Sequence, residues 1–412
     1  MTQQRIVVTG MGAVTPLGIG VSSYWENLLS GKTGISTISR FDPAEWPVKI
    51  AAEVKDFHPT DFLPKKLVRN TDLFMQFALA AAKEAIDESQ PNIAPERIGV
   101  VLGTALGGIA TVTDAQEQLT RSGRFRLSPH IVPKFLSNIA AAQIAMAYHF
   151  LGPSLTVSTA CSSGADAVGI ASMLLKTRQA DVVVAVGAES ILSGFMVAGL
   201  SSAQALSTRN DCPEKASRPF ERHRDGFVIG EGGGAIVLET LESAEKRGAP
   251  IHGELLSYAN TADAYHVTAP EPNGRGEIRC MQKAIEAAGL EPSHIHYINA
   301  HGTSTPLGDR VETLAIKAVF GETRAKKLPV SSTKGATGHM MGAGGVTELI
   351  TCLLSIRDNI LPPTLNYEES DPECDLDYVP NQARAANVVI AMSNSFGFGG
   401  QNATLIVGKY HR

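Results

Sequence analysis

Short β-branched runs alternate along the chain with alanine-rich stretches of helical period. RIVVTG, RIGVVLGTA, LTVSTA and ADVVVAVGAES read as strands apolar on both faces, with TDLFMQFALAAAKEAIDES and GADAVGIASMLLKT as helices among them. In the first helical stretch Phe74, Phe77, Ala78, Ala81, Ala85 and Ile86 recur with a period near 3.6, which gives one apolar face for a sheet to cover. Such alternation predicts parallel α/β layering. The second half repeats the plan in HIHYINAHG, RVETLAIKAVFG, KLPVSST, GGVTELITCLLSIRD and NVVIAMSNSFG. Side by side, LTVSTACSSGADAVGIASMLLK and LPVSSTKGATGHMMGAGGVTELITCLLS each show a strand end, a small-residue turn and an apolar helix. They predict two related halves, residues 1–250 and 251–412, about a pseudo-twofold axis. No Pro/Gly/Ser linker parts them, so one body is expected. The first half ends its strand on Cys161; the second puts His339 in the matching turn.

One segment breaks the rhythm. STRNDCPEKASRPFERHRDGF, residues 207–227, is the longest polar stretch and is expected as a surface loop. Otherwise 412 residues at 43% hydrophobic content suffice for a large core. A net charge of -5 gives no global attraction to nucleic acid or an anionic membrane, so an acidic partner must meet a local basic patch. The longest apolar run is interrupted by Asp181 and Glu189, and no membrane insertion is expected. Five widely spaced cysteines without a CxxC pair, zinc-site spacing or an export signal point to reduced thiols in a cytoplasmic protein.

Candidate chemistry gathers at the turns. Cys161 sits between a strand end and a helix start, where unpaired N–H groups and the helix dipole favour an anion and bias a thiol toward thiolate. Its neighbours Ala160, Ser162, Ser163 and Gly164 permit a strained turn and leave room for a substrate. From this stretch alone a nucleophile and a buried structural cysteine are equally good readings. His301 in NAHGTSTPLGD and His339 in STKGATGHMMGAGG each follow a strand in a small-residue turn, and with the cysteine they resemble a site. His294 and His296 alternate along a strand-like run and form a weaker metal-chelating pair. VTGMGAVTPLG opens as G-x-G but lacks the third glycine and the distant acid of a dinucleotide site. GTALGG lacks the lysine of a phosphate loop. Both are expected as tight, closely packed turns.

These residues lie inside longer motifs. VTGMGAVTPLG, TACSSG, ALSTRND, SRPFERHRDGFVIGEG, DAYHVTAPEPNG, NAHGTSTPLGD, SSTKGATGH and NSFGFGGQNATL occur in this order, and through them essentially the whole chain resembles the elongating β-ketoacyl-acyl carrier protein synthases of the synthase II kind. The resemblance implies a thiolase-like duplicated five-layered α/β/α/β/α fold and a homodimer. It implies that Cys161 accepts the acyl group, that His301 and His339 are the catalytic histidines, and that Lys334 supports them. Phe398 is implied to gate the site and to form an oxyanion hole through its N–H with that of Cys161. Thr268, Thr303 and Thr305 would line the phosphopantetheine tunnel, with Gly399 also at the substrate; Leu106 and Leu200 would line the acyl pocket, and Glu312 would join the supporting network. The implied reaction is decarboxylative condensation of an acyl-enzyme with a malonyl thioester, with no redox cofactor and no metal.

Acyl carrier protein is the implied partner, and Lys65, Lys66 and Arg69, with Arg124 and Arg126, are the candidate basic patches that meet it. Gln401 stands where the family often has Thr, and Gly335-Ala336 where it often has Ser-Met. Type II polyketide ketosynthases share the same chemistry. A noncatalytic chain-length partner would lack the Cys-His-His set, and a dehydrogenase reading rests on VTGMGA alone.

Overall fold

The computed structural model describes residues 4–123 and 126–411. Ten strands carry the architecture: β1 (Ile6–Thr15), β2 (Ile98–Gly103), β3 (Ser154–Val157), β4 (Val182–Glu189), β5 (Gly232–Thr240), β6 (Gly253–Ala262), β7 (Tyr297–Asn299), β8 (Val330–Ser331), β9 (Ile390–Gly397) and β10 (Gln401–Gly408). Five helices matter most: α1 (Leu73–Ser89), α2 (Ser163–Lys176), α3 (Arg275–Ala287), α4 (Pro306–Phe320) and α5 (Gly344–Asp358). The strands form one hydrogen-bonded path, β8-β7-β9-β10-β6-β1-β5-β4-β2-β3, with Gly18–Ile19 paired to β1. Read outward from its centre, β1-β5-β4-β2-β3 and β6-β10-β9-β7-β8 have the same order. In each, two antiparallel pairings precede two parallel ones. Among the described residues, the strands of the two runs pair with each other only where β1 lies antiparallel to β6, at Val7↔Glu254 and Val8↔Gly253.

Packing turns this path into layers. Helices α2 and α5 lie against each other and against strands of both runs; α1 covers β1, β5 and β4 from outside, while α3 covers β6 and β10 and carries α4. The succession is helix, sheet, helix, sheet, helix. Strands between two helical layers have no wet face, which is why β2, β4 and β5 are buried at every position.

Helix α1 starts where the Asp72 carboxylate accepts the N–H of Phe74 at 3.1 Å, and its six-residue apolar face is buried as its period predicts. VTGMGAVT is not a turn: all of it is strand β1. Its glycines serve packing, since a Cβ on Gly10 or Gly12 would lie 2.1 or 2.0 Å from the carbonyl oxygens of Ala85 and Ala81 on α1. The expected surface loop is also corrected in its second half, where residues 216–221 are buried. Its charges find partners there: Arg224 pairs with Asp371 at 2.6 Å and Asp309 at 3.6 Å, and Phe220 stacks on Tyr378 with centroids 4.1 Å apart. His294 and His296 do not form a chelating pair on a strand. Each Nδ1 accepts a backbone N–H, from Glu291 at 3.0 Å and from Ile390 at 3.3 Å.

Candidate active site

The turn after β3 is built around one strained residue. Ala160 has φ of 52°, a left-handed conformation costly for alanine, and it lifts Cys161 into a single 3-10 turn that runs into α2. Hydrogen bonds from four separate groups hold this turn. The buried Asp166 carboxylate accepts from Thr159 Oγ1, Ser162 Oγ (2.9 Å), Tyr258 OH (2.6 Å) and Asn260 Nδ2 (2.8 Å), so strand β6 of the second run clamps the nucleophile turn of the first. From β9, Gly397 approaches so closely that a Cβ would lie 3.0 Å from the Cys161 nitrogen.

The second run supplies the rest. The loop after β7 presents His301, held by the Glu312 carboxylate, which accepts the N–H groups of His301 (2.9 Å) and Gly302 (2.8 Å). Past β8, His339 is pinned by its backbone to Val228 and Gly230, and its Nδ1 accepts the N–H of Met341 at 3.3 Å. That bond puts the proton of the neutral ring on Nε2, leaving an N–H donor. His301 Nδ1, by contrast, is buried without a partner. The ligand atoms of Cys161, His301 and His339 lie within 4.8 Å of one another, and the two imidazoles meet edge to face at 5.4 Å.

Burial dominates the electrostatics. It pushes the Cys161 thiol up to about 11, against the pull of the Phe398 and Cys161 N–H groups and the Lys334 charge. This direction runs against the expected bias toward thiolate: burial opposes the helix start and its dipoles at the half-buried Cys161. Both histidines are held well below the usual imidazole range, by burial first and then by Lys334, with His339 adding to the effect at His301. They are neutral at pH 7. Lys334 does not border the cavity; it lies buried behind it in an ion pair with buried Glu348. Burial raises the Glu312 carboxyl to about 7.

A cavity of about 730 Å³ opens on the three reacting groups. Its lining includes the aliphatic Leu106, Ile191, Met196 and Leu200 and the hydroxyl-bearing Thr268, Thr303 and Thr305, the last two with hydroxyls 3.1 Å apart. Phe398 stands between cavity and solvent, 37% exposed. Gly399 is on the same turn but off the cavity wall, its N–H donated to the Val267 carbonyl at 2.8 Å. Lys65, Lys66 and Arg69 are exposed on one short helix away from the cavity lining, Arg126 is exposed, and Arg124 lies outside the described residues.

Sequence reasoning missed Asp166 and Glu189. Glu189 ends β4 fully buried, accepting from Thr104 Oγ1 (3.0 Å) and from the N–H groups of Ala105 (2.6 Å), Leu106 (3.2 Å) and Gly342 (3.2 Å), so it ties the two runs together beneath the site. Burial holds its carboxyl at about 7. The available signal was an acid at the end of an all-apolar strand.

Residues 3–244 match the Beta-ketoacyl synthase N-terminal domain profile and residues 252–368 the C-terminal domain profile. The chain is 45% identical over 413 residues, 99% of each protein, to 3-oxoacyl-[acyl-carrier-protein] synthase 2 of Coxiella burnetii. Among solved structures it superposes on the ishigamide ketosynthase/chain length factor with a TM-score of 0.91, 34% identity and full coverage of both chains. A type II PKS acyl-carrier protein in complex with its ketosynthase bound to the hexaketide gives 0.89 and 33%, again with full coverage of both.

Proposed function

We propose that this chain, which belongs to the beta-ketoacyl synthase family across both of the family's domains, is a 3-oxoacyl-[acyl-carrier-protein] synthase of the second type. It lengthens fatty acyl chains by decarboxylative condensation. The observation that carries the reading is the convergence of Cys161, His301 and His339 at one cavity.

In the first half-reaction the Cys161 thiol passes its proton to a neutral imidazole while the sulfur attacks an acyl thioester. The N–H groups of Phe398 and Cys161 hold the tetrahedral oxyanion, and the departing thiol takes the proton. In the second, the bond from the malonyl carbon to its carboxylate breaks. The electron pair moves into the thioester as an enolate, which accepts hydrogen bonds from the His339 Nε2–H and from His301. Carbon dioxide departs, the enolate carbon attacks the acyl-cysteine, and Cys161 leaves as a thiolate that takes a proton from solvent. Neutral imidazoles suit this step because they donate to a developing anion without first losing a proton. Two related halves, 1–250 and 251–412, are proposed with it; the matching strand orders support them.

The partner in this reading is acyl carrier protein, met by Lys65, Lys66 and Arg69 with Arg124 and Arg126. A homodimer is supported by strand β3 at the edge of the described sheet, where Leu155 is exposed, and by the exposed apolar residues Met146, Leu151 and Met173; a single-chain mass at sedimentation equilibrium would overturn it. A cytoplasmic setting accords with five unpaired cysteines and with the lack, among the described residues, of a helix long and apolar enough to cross a membrane. Cell fractionation tests that placement.

Intact mass after incubation with a panel of acyl-carrier thioesters, with peptide mapping, tests the whole. An acyl adduct on Cys161 that disappears into a product two carbons longer when malonyl-carrier protein is added is expected. No adduct across the panel overturns the reading. With the double variant K65E/K66E, the KM for carrier-bound substrate should rise far more than for a small thioester; equal change removes the patch. A polyketide role would appear as repeated extension of one bound chain.

A further inference from the structure

Glu277 stands in the first turn of α3, 3% exposed, on the wall of the catalytic cavity. Its Oε2 is buried without a partner, and no hydrogen bond or ion pair engages the side chain among the described residues. A buried polar group left unsatisfied destabilises the fold that holds it and calls for an explanation in what the site does.

Its neighbours are satisfied where it is not. Glu312 accepts the N–H groups of His301 and Gly302, and Asp263 accepts from Asn402 Nδ2 at 2.7 Å and from the Glu271 N–H at 3.1 Å. Burial first, then the charges of Glu312, Asp263 and Glu271, push the Glu277 carboxyl well above the usual carboxylate range. A neutral carboxyl both donates and accepts. Its position selects the ligand: α3 packs on α4, and the loop and first turns of α4 carry Thr303, Thr305 and Glu312, which line the same cavity. Hydroxyls and carboxyls grouped in this way match an occupant with amide carbonyls and N–H groups better than a bare hydrocarbon chain.

We propose that Glu277 is a substrate-recognising residue whose carboxyl hydrogen-bonds an amide of the arm that carries the thioester into the cavity. This rests on the condensing reading above and adds to it a specificity residue on the arm's side of the site.

The test compares malonyl-pantetheine with the malonyl thioester of ethanethiol, which has no amide, in wild type, Glu277→Gln and Glu277→Leu, with Cys161 preloaded from an acyl ethanethiol ester. For Glu277→Leu the KM for malonyl-pantetheine should rise about tenfold and that for the ethanethiol ester stay within about twofold, while Glu277→Gln, which still donates and accepts, stays within about threefold on both. Glu277→Leu should also melt higher than wild type, because it removes a buried carboxyl without a partner. Equal KM changes on both thioesters, no change on either, or a lower melting temperature for Glu277→Leu would overturn the proposal. Wild type that never acylates Cys161 from any thioester overturns the condensing reading and this proposal with it. Normal wild-type turnover with unselective Glu277 variants removes this proposal alone.

Discussion

The turn after β3 and the turn after β8 hold equivalent places in two runs of strands with the same order, yet they solve opposite problems. The first exposes a nucleophile. It uses one strained alanine, the start of a long helix and backbone N–H groups, with the Asp166 carboxylate engaged in holding the turn. The second hides a charge: Lys334 is buried against Glu348, and its field, added to burial, keeps His301 and His339 neutral. A duplicated strand-turn-helix unit thus yields a position twice. What sits there is set by its partners: Tyr258 and Asn260 cross from the other run to the first turn, whereas Glu348 meets Lys334 from within the second run itself.

If the two turns divide the labour, removing the nucleophile should leave the other turn working. Cys161→Ala is expected to abolish acyl loading and condensation completely while still releasing carbon dioxide from a malonyl thioester, read by radiolabel loss from the malonyl carboxylate. Loss of decarboxylation along with condensation would mean that the turns act as one unit and the comparison fails.

The second turn breaks differently. Lys334→Met strands the Glu348 carboxylate in the core, and removing one partner of a buried pair costs about 3–5 kcal/mol. Denaturant titration should show that loss, with much of it regained in Lys334→Met/Glu348→Gln; a single variant as stable as wild type would show the pair to be idle. The same variant sharpens the electrostatic half of the comparison. Without the Lys334 charge the histidine pKa values rise, so the acid limb of condensation moves to higher pH. The sign for stability follows from linkage. Imidazoles depressed below 6.5 in the native state bind fewer protons than the unfolded chain, so their contribution is complete above that value and is lost as pH falls below it.

Much of this was legible in the sequence for a simple reason: strands between helical layers are apolar throughout, and reactive residues in small-residue turns stand out against them. Cys161, His301 and His339 could be picked out before any coordinates, and so could the repeat of strand, turn and helix. What escaped depends on partners distant along the chain. Glu189 looks like an interruption until Gly342 donates to it from the other run, and Asp166 looks like a helix residue until Tyr258 reaches it. The buried half of residues 207–227 reads as polar because its arginines meet Asp309 and Asp371 only in the fold. The opposing pull on the Cys161 proton has a related cause: the local helix start is visible in sequence, whereas the burial that works against it is a property of the whole.

That opposing pull yields the gentlest test of the comparison. Alkylation of a thiol by iodoacetamide proceeds through the thiolate, so its rate climbs with pH until the thiol has titrated. With Cys161 pushed up to about 11, carbamidomethylation mapped to its peptide should keep rising, by about tenfold per pH unit from pH 7 to 9, with no plateau. A plateau below about pH 8.5, the ordinary cysteine value, would mean that the N–H groups of Phe398 and Cys161 and the Lys334 charge outweigh burial. The first turn would then stabilise charge as the second does, and acyl loading would no longer need an imidazole to take the thiol proton.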